Sequence, residues 1–454
     1  MRIQLNDAAD PIYPDQSLDI GCRRYGAGEH HIAPQSIPPE AVWVYRELRE
    51  AGFEAYLVGG CVRDLLLGYE PKDFDVSTNA TPEEIRDIFR RSRIVGRRFQ
   101  IVHVRSGREV IEVSTFRGHH SADFEPDSED EQPPEDSASY AKSGMLLRDN
   151  VFGNVEEDAL RRDFSVNGLY YDPDANCVLD FSTGVADLEA RVLRVIGDPV
   201  TRFQEDPVRM LRAARFAAKL DFAIEETALA AIAKCHKLLA QIPAARMFDE
   251  VLKLLLAGQG AATFAVMDHL GLFEPIFPQT ARALRESPEE RNLIVHALRN
   301  SDERIAQGKP VTPAFLYAAL LWPALERRLR KLQERAQLPL AAAMYEAASE
   351  VVAEQCRSTT IPRRFSTPMR EIWDLHQRLI GRRSPQKLAA HPRFRAAYDF
   401  VLLREQSGED LNGAGEWWTR FQSGESMPAP AAPAARPRRR RRRPGSGGSG
   451  ADGG

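Results

Sequence analysis

Apolar positions follow two different periods along the chain, and the change of period separates a mixed N-terminal region from a long helical one. Between residues 39 and 196, short apolar or alternating runs such as Ala55 to Val58 are typical of strands. The strands predicted at 94–104 and 110–116 form a hairpin around Ser106-Gly107. From residue 220 to about 403 the apolar spacing is helical. We therefore expect an α+β fold, in which a head with a mixed or antiparallel sheet precedes an all-helical neck and body.

The same pattern divides the chain into five segments. We expect a flexible N-terminal arm at 1–38, a head with a sheet and helices at 39–196, a helical neck at 197–270, a helical body at 271–422 and a disordered tail at 423–454. Within the head, residues 119–143 are acidic and lack hydrophobic pattern, which predicts a disordered insertion.

Charge is segregated along the chain, so the net formal charge of −4 is misleading. Seven arginines and one aspartate follow residue 435, which leaves 54 Lys and Arg against 64 Asp and Glu before it, a balance of −10. No apolar run approaches the length of a membrane span. The five cysteines form no Cys-x-x-Cys pair, which favours a reducing, cytoplasmic location.

A glycine pair, Gly59-Gly60, follows the apolar run at 55–58 and precedes a short helical pattern. Glycines permit a tight strand-to-helix turn, at which a phosphate can approach backbone N–H groups. Arg63 falls in the first turn of the helix, where its guanidinium can grip a triphosphate. Alone, a glycine pair is usually only a turn, but here a carboxylate pair follows closely.

Asp73 and Asp75 alternate with apolar residues, as in a half-buried strand. Strand side chains two positions apart share one face, so these carboxylates repel each other unless a cation lies between them. Mg²⁺ commonly binds through one or two carboxylates plus substrate phosphates. We therefore predict a metal site at Asp73 and Asp75 for Mg²⁺, with Mn²⁺ as the second candidate.

Together, the segments Gly59 to Asp64 and Asp73 to Asp75 resemble the head motifs of the nucleotidyltransferase branch that holds bacterial poly(A) polymerases and tRNA CCA-adding enzymes. The resemblance covers roughly residues 39–421. It implies an enzyme that transfers AMP from ATP to RNA 3′ ends without a template and releases pyrophosphate, with a role in RNA polyadenylation and decay. A CCA-adding tRNA nucleotidyltransferase is the nearest alternative, and a non-catalytic RNA-binding adaptor is an alternative of another class.

The run of residues 161–169 resembles a further segment of that family and implies three more site residues. By resemblance, Asp163 completes the catalytic set with Asp73 and Asp75, whereas Arg162 and Asn167 hold triphosphate or ribose. Glu112 is the other candidate for the third acid, because a carboxylate within an apolar strand needs a metal or an arginine such as Arg117. We favour Asp163.

Residues 205–213 match the family motif Glu-Asp-x-x-Arg-x-x-Arg-Ala, at the start of a helix that Asp206 is predicted to cap. A carboxylate accepts from an exocyclic amine, and a guanidinium donates to a ring acceptor. Asp206 and Arg209 are therefore predicted to select adenine or cytosine, with Arg212 on the same helix face. The alternative is a helix cap with surface arginines.

Two arginine groups are predicted to bind RNA. Arg97 and Arg98 fall in a segment that resembles the poly(A) polymerase side of the branch, although a solvated pair is the alternative. The tail can neutralise backbone phosphates through Arg438, Arg439, Arg440, Arg441, Arg442 and Arg443. RNA 3′ ends are the expected partner, the tail could instead recruit RNA-decay proteins, and a monomer is favoured.

Overall fold

The computed structural model of the chain describes residues 21–96, 100–118, 139–140, 146–148, 151–336 and 338–425. Within these residues a mixed sheet with helices is followed by a helical region, which confirms the predicted α+β fold. Arg97, Arg98, most of the acidic insertion and the arginines of the tail lie outside the described residues.

The strands lie almost entirely in the first half of the chain. They are β1 (Arg23–Tyr25), β2 (Ala55–Val58), β3 (Asp75–Thr78), β4 (Ser92–Val95), β5 (Ile101–Ser106), β6 (Glu109–Thr115), β7 (Ser139–Tyr140), β8 (Leu146–Arg148), β9 (Leu169–Asp172), β10 (Cys177–Asp180), β11 (Val192–Leu193) and β12 (Ala223–Ile224). Eight of them form one sheet in the order β1-β10-β9-β2-β3-β6-β5-β4. Within this sheet β3 and β6 pair in parallel, and the other pairs are antiparallel.

The helices of the head and neck are α1 (Pro39–Glu50), α2 (Gly60–Leu66), α3 (Pro82–Ile88), α4 (Val155–Leu160), α5 (Gly184–Ala190), α6 (Pro199–Glu205), α7 (Val208–Leu220), α8 (Glu226–Cys235), α9 (Ala244–Leu255) and α10 (Gly260–His269). Those of the body are α11 (Pro278–Glu286), α12 (Arg291–Ala306), α13 (Pro313–Leu320), α14 (Trp322–Ala336), α15 (Leu340–Ser358), α16 (Arg363–Ile380), α17 (Pro385–Ala389), α18 (Phe394–Gln406) and α19 (Ala414–Gln422).

The two faces of the sheet have different environments. Leu57, Val76 and Val113 point to one face, where they join α1 in a core that continues into the neck and body. Val58 and Tyr170 point to the other face and belong to a smaller apolar cluster. Because strand side chains alternate between faces, Asp75 and its neighbours on that second face are available for chemistry.

Local sequence signals account for several elements. The predicted hairpin is β5 and β6, whose turn lies between Ser106 and Glu109. The single strand predicted at 94–104 is wrong, because β4 ends at Val95 and pairs antiparallel with β5, which begins at Ile101. The start of α3 is fixed by a capping box, in which Thr81 and Glu84 each accept a hydrogen bond from the other's backbone N–H. A cap satisfies backbone donors that the first helical turn leaves free, so it fixes where α3 begins.

The N-terminal segment differs from the loose arm that the sequence predicts for residues 1–38. Residues 23–25 form β1, which pairs with β10 at the edge of the sheet and buries Tyr25. His30 also contacts the head, because its ring lies edge-on to Tyr171. A partner strand about 150 residues away leaves no local periodicity, which explains why the sequence pattern missed this strand.

Packing in the body is continuous with that of the neck. The main core extends from the sheet through α7 and α9 to α13 and α15, and a second cluster around Trp418 closes the C-terminal end. None of the described helices is by itself long and apolar enough to cross a bilayer. The pair α9 and α10, which is bent by 118°, meets that length and composition test only jointly.

Candidate active site

The Gly59-Gly60 pair forms the turn between β2 and α2. Gly59 has a φ of +78°, a conformation that favours glycine. A Cβ atom at Gly59 would lie 3.3 Å from Nη1 of Arg162 and 3.7 Å from the carbonyl oxygen of Asn167. The turn therefore brings the backbone close to two residues that the sequence assigned to nucleotide binding.

Asp75 lies beside the turn on the second face of the sheet. Asp73 is exposed, precedes β3 and lies close enough to interact electrostatically with Asp75. Asp75 opens β3 opposite Val58 of β2, and Phe74 and Val76 are buried on the other face. Burial, together with the carboxylates of Glu112 and Asp73, raises the pKa of Asp75 to about 6, against the opposing charge of Arg162. The site thus holds more negative charge than it neutralises, which favours a bound cation.

Glu112 is the acid that the sheet brings beside Asp75. The two residues are direct partners in the parallel pairing of β3 and β6. The prediction that Glu112 is buried is wrong, because its side chain is about half exposed and its carboxylate lies 3.3 Å from Nε2 of His103. Ile111 and Val113 fill the core on the opposite face, so the apolar strand tolerates this acid without burying it.

Asp163 has a different environment. Its carboxylate accepts hydrogen bonds from Nε of Arg212 at 2.5 Å and from Nδ2 of Asn167 at 3.2 Å. Burial opposes ionisation, but Arg212 and Asn167 outweigh it and hold the pKa of Asp163 below its usual value. Asp163 is therefore an ionised residue that joins α7 to the head, and the structure places Glu112 rather than Asp163 directly beside Asp75.

Asn167 connects this ion pair to Arg63. Nη1 of Arg63 donates to the side-chain oxygen of Asn167 at 2.6 Å, and its Nε donates to Asp64 at 2.7 Å. Arg63 is almost completely buried, with its guanidinium over the ring of Phe216. Because a guanidinium has five N–H donors, these contacts orient Arg63 without exhausting its capacity to bind an anion.

Arg162 is held by a buried carboxylate that the sequence interpretation did not single out. Asp158 accepts from Nη2 of Arg162 at 3.1 Å and from the hydroxyl of Tyr170 at 2.6 Å. It also accepts from the hydroxyl of Ser77, two residues beyond Asp75 on β3, and from the backbone N–H of Arg117. We call these residues the Asp158 network. Although burial disfavours its charge, Tyr170 and Asp158 raise the pKa of Arg162.

The neck residues predicted to read the base are both fixed by ion pairs. Asp206 accepts from Nη2 of Arg246 on α9 at 2.8 Å. Arg209 donates to Glu205 at 2.8 Å. The predicted cap is displaced by one residue, since Pro207 occupies the N-cap position and Asp206 accepts from the N–H of Val208. The two side chains predicted to read the base are therefore oriented by Arg246, by Glu205 and by the N–H of Val208.

The residues that sequence reasoning missed share one property. Their hydrogen-bond partners are distant in sequence or lie on another element, so no fixed spacing in the sequence identifies them. These residues are Asp158, Tyr170 and Arg246. Asp158 did carry a weak signal, since a buried acid at 7% exposure requires donors and Arg162 follows it by one helical turn. Arg246 carried none.

The donor set suits a divalent cation that the substrate helps to bind. Among the described residues, no group of three His, Cys, Asp or Glu side chains could hold a metal by itself. Two carboxylates with an elevated pKa at Asp75 match a hard cation that keeps open positions for phosphate oxygens. This arrangement fits a site for Mg²⁺ or Mn²⁺ that the substrate completes. It does not resemble a closed structural metal site, which would use four protein ligands.

Three family models match successive parts of the chain. Residues 55–194 match the poly(A) polymerase head domain, and residues 221–284 match a segment described as the probable RNA- and SrmB-binding site of polymerase A. Residues 336–446 match the arginine-rich C-terminus of polymerase A.

Curated relatives match over most of the chain. Poly(A) polymerase I of Haemophilus influenzae is 45% identical over 402 residues, which are 87% of this chain and 87% of that protein. Poly(A) polymerase I of Escherichia coli O6:H1 is 46% identical over 87% of this chain and 84% of its own. A CCA-adding enzyme of Enterococcus faecalis is 41% identical over 48% of this chain and 49% of its own.

Solved structures share the fold at lower identity. The Bacillus stearothermophilus CCA-adding enzyme in complex with CTP superposes with a TM-score of 0.56 at 24% identity, covering 85% of this chain and 83% of that one. A tRNA nucleotidyltransferase complexed with a primer tRNA and an incoming ATP analogue has a TM-score of 0.51 at 21% identity, covering 84% of this chain and 99% of that one. At this identity the likeness supports the fold alone.

The Asp158 network predicts a large stability difference between two aspartates. Asp158→Ala should lower the free energy of unfolding by about 3 kcal/mol, because it removes a buried carboxylate and leaves the partly buried Arg162 without its partner. Asp374→Ala, which removes the exposed partner of Arg378, should cost no more than about 0.5 kcal/mol. Urea denaturation followed by circular dichroism measures both values, and equal losses would contradict the structural role of Asp158.

Proposed function

Because this chain belongs to the bacterial poly(A) polymerase family and is a template-independent polynucleotide adenylyltransferase, we propose that Asp73 and Asp75 form its catalytic metal site. The enzyme transfers AMP from ATP to RNA 3′ ends and releases pyrophosphate. The observation that carries this function is the similarity to poly(A) polymerase I, which extends over 87% of the chain, whereas the CCA-adding match covers about half of it.

We propose Mg²⁺ as the divalent cation on which the family's chemistry depends. Bound there, it would lower the pKa of the attacking RNA hydroxyl and neutralise charge on the triphosphate. Asp73 and Asp75 would hold it from the protein side. Glu112 shares the face of the sheet that bears Asp75 and is the better-placed third acid, and Asp163 acts as a positioning residue through Arg212 and Asn167.

The arginines near the glycine turn have the placement that a triphosphate requires. We propose that Gly59 and Gly60 admit the phosphates to the backbone, and that Arg63 and Arg162 bind them with their remaining N–H donors. Asn167 and Arg212 would complete the pocket towards the ribose. Arginines held in advance by buried acids lose little entropy when the substrate arrives.

Base selection is proposed for the neck. Asp206 can accept from the exocyclic amine of adenine while Arg209 donates to a ring nitrogen. Arg246 and Glu205 orient these two groups, which supports a pocket of fixed shape.

RNA binding is supported by the segment at 221–284, which matches the model of a probable RNA-binding site. We propose that Arg97, Arg98 and the tail arginines add contacts to the RNA backbone, and that the tail also serves RNA-decay partners.

We further propose a head at 39–196, a neck at 197–270 and a body at 271–422. A cytoplasmic location is proposed, supported by five unpaired cysteines, and a monomeric state is proposed with it.

The metal assignment predicts the loss of tail synthesis in a double variant. Asp73→Asn with Asp75→Asn should abolish extension of an unstructured RNA by ATP alone, because neutral amides cannot hold the divalent ion. Unaltered protein should add long homopolymer tails. Denaturing gels with labelled RNA measure extension, and filter binding measures RNA affinity, which should persist in the variant.

Asp87→Asn is the matched control, since Asp87 is an exposed acid of α3 in the same head. Persistent tail synthesis in the double variant would refute the metal site. Addition of a single residue by unaltered protein, confined to tRNA ending in CC, would instead favour the CCA-adding alternative, and no extension of any RNA would favour the adaptor.

Metal affinity should depend on pH through Asp75. Its pKa of about 6 means that protons compete with the cation below that pH, so affinity should fall on acidification and level off above about pH 7. Titration with Mn²⁺ followed by electron paramagnetic resonance measures this dependence. Asp75→Asn should bind weakly at every pH, and a pH-independent affinity in unaltered protein would contradict the site.

The tail should contribute a salt-sensitive part of RNA affinity. Replacement of the six arginines at 438–443 by glutamine should reduce the slope of log affinity against log salt by up to about 4, at about 0.7 per phosphate of single-stranded RNA. Fluorescence anisotropy at several salt concentrations measures the slope. An unchanged slope would assign the tail to a protein partner.

A further inference from the structure

A groove in the helical body lies away from the residues assigned to catalysis. It has a volume of about 550 Å³ and is formed by α11, α14 and α15. Five cations and two carboxylates are the charged residues that line it. The cations are Arg282, Arg327, Arg328, Lys331 and Arg357, and the carboxylates are Glu350 and Glu354. The lining therefore carries an excess of positive charge on a chain whose residues before the tail are acidic overall.

Two of these cations hold the helices together. Arg327 of α14 forms two hydrogen bonds to Glu286 of α11, at 2.6 and 2.7 Å. Arg328 of α14 forms an ion pair with Glu350 of α15. These cross-links fix the width of the groove, so its shape is preserved when it is empty.

The other three cations of the lining do not cross-link helices. In the part of the chain that the structure describes, Arg282, Lys331 and Arg357 have no ion pair or side-chain hydrogen bond. Each comes from a different helix, and all three line the same groove. Glu286 attracts Arg282 and Lys331 at longer range than it attracts Arg327. Five cations against two carboxylates nevertheless leave an excess of positive charge in the lining, which is the arrangement expected for an anionic ligand with several charges.

A backbone hydrogen bond links one end of the groove to the neck. Arg357 lies near the C-terminal end of α15, and three residues later the N–H of Thr360 donates to the carbonyl oxygen of Ala244 at the start of α9. Two residues further along α9, Arg246 binds Asp206. One end of the groove is thus connected through α9 to the proposed base pocket, and its wall on α15 extends about 10 Å away from it, from Arg357 to Glu350.

We propose that this groove binds the phosphate backbone of the RNA strand upstream of its 3′ end, an inference that rests on the polyadenylation function. The ligand is a polyanion that the enzyme must hold whatever its sequence, and guanidinium and ammonium groups bind phosphate without reading bases. Arg282 lies within the RNA-binding segment at 221–284, whereas Lys331 and Arg357 extend the surface beyond it.

The test removes the three uncommitted cations from the full-length chain. Arg282→Gln, Lys331→Gln and Arg357→Gln together should weaken binding of a long unstructured RNA roughly tenfold at moderate salt. The slope of log affinity against log salt should become flatter by about 2, since each single-strand phosphate contributes about 0.7. The loss should shrink as the RNA is shortened, because a shorter strand places fewer phosphates in the groove.

A matched control removes three exposed arginines of the body that do not line the groove: Arg285, Arg378 and Arg395. The control variant loses three positive charges, as the groove variant does. It is also matched in position, because Arg285 lies on α11 only three residues from Arg282. It should retain RNA affinity, slope and tail synthesis, and thermal unfolding should show that both variants fold as unaltered protein does.

Two results would overturn the proposal. Unchanged affinity and slope in the groove variant would assign the groove to another ligand, such as an acidic protein, and equal losses in the control would reduce the effect to overall charge. Failure of the function itself is distinguishable, because unaltered protein would then extend no RNA although it still binds it.

Discussion

The arrangement of this active site depends on one buried carboxylate, Asp158. It accepts hydrogen bonds from Ser77 on β3, from Tyr170 on β9, from Arg162 and from the backbone at Arg117. A charge at this depth is tolerated only when its oxygen atoms are satisfied, so the four donors must arrive together. Because Ser77 lies two residues beyond Asp75, the contact that offsets the cost of burial also fixes Arg162 relative to the face of the sheet that bears Asp75.

The same logic of paired charges extends across the junction of head and neck. Asp163 accepts a hydrogen bond from Arg212 of α7 and so joins that helix to the head. Asn167 donates to Asp163 and accepts from Arg63, which orients Arg63 relative to the same ion pair. Nη2 of Arg202 donates to the carbonyl oxygen of Arg162, which ties α6 to the same segment. Each arginine therefore has a partner but keeps donors in reserve. A triphosphate bound as proposed would meet oriented guanidinium groups rather than flexible ones, which would lower the entropic cost of binding.

Local features of this fold could be predicted from sequence because they depend on neighbours in the chain. The glycine turn at Gly59, the capping box of α3 and the β5–β6 hairpin are of this kind. Glu112 was wrongly predicted to be buried, because the alternation of side chains along a strand does not reveal which face of the sheet packs against the core. Its apolar neighbours show that one face is buried, and the carboxylate occupies the open face that Asp75 shares.

What the sequence could not give were contacts whose partners lie far apart in the chain. Asp206 and Arg246 are 40 residues apart, and β1 pairs with a strand near residue 180. Neither contact requires a particular spacing, because helices and loops of many lengths could bring the same atoms together. The family resemblance named Asp206 as functional, but the identity of its arginine partner depends on how α9 crosses α7, which is a property of packing.

Helix α9 explains how base selection and strand binding can share one rigid support. Its buried face packs through Phe248 against the rings of Tyr317 on α13 and Phe365 on α16. Its first turn carries Arg246, which holds Asp206, and accepts the backbone N–H that follows α15. Close-packed interiors transmit displacement rather than absorb it. A change in the position of α9 would therefore move the proposed base pocket and the body surface together.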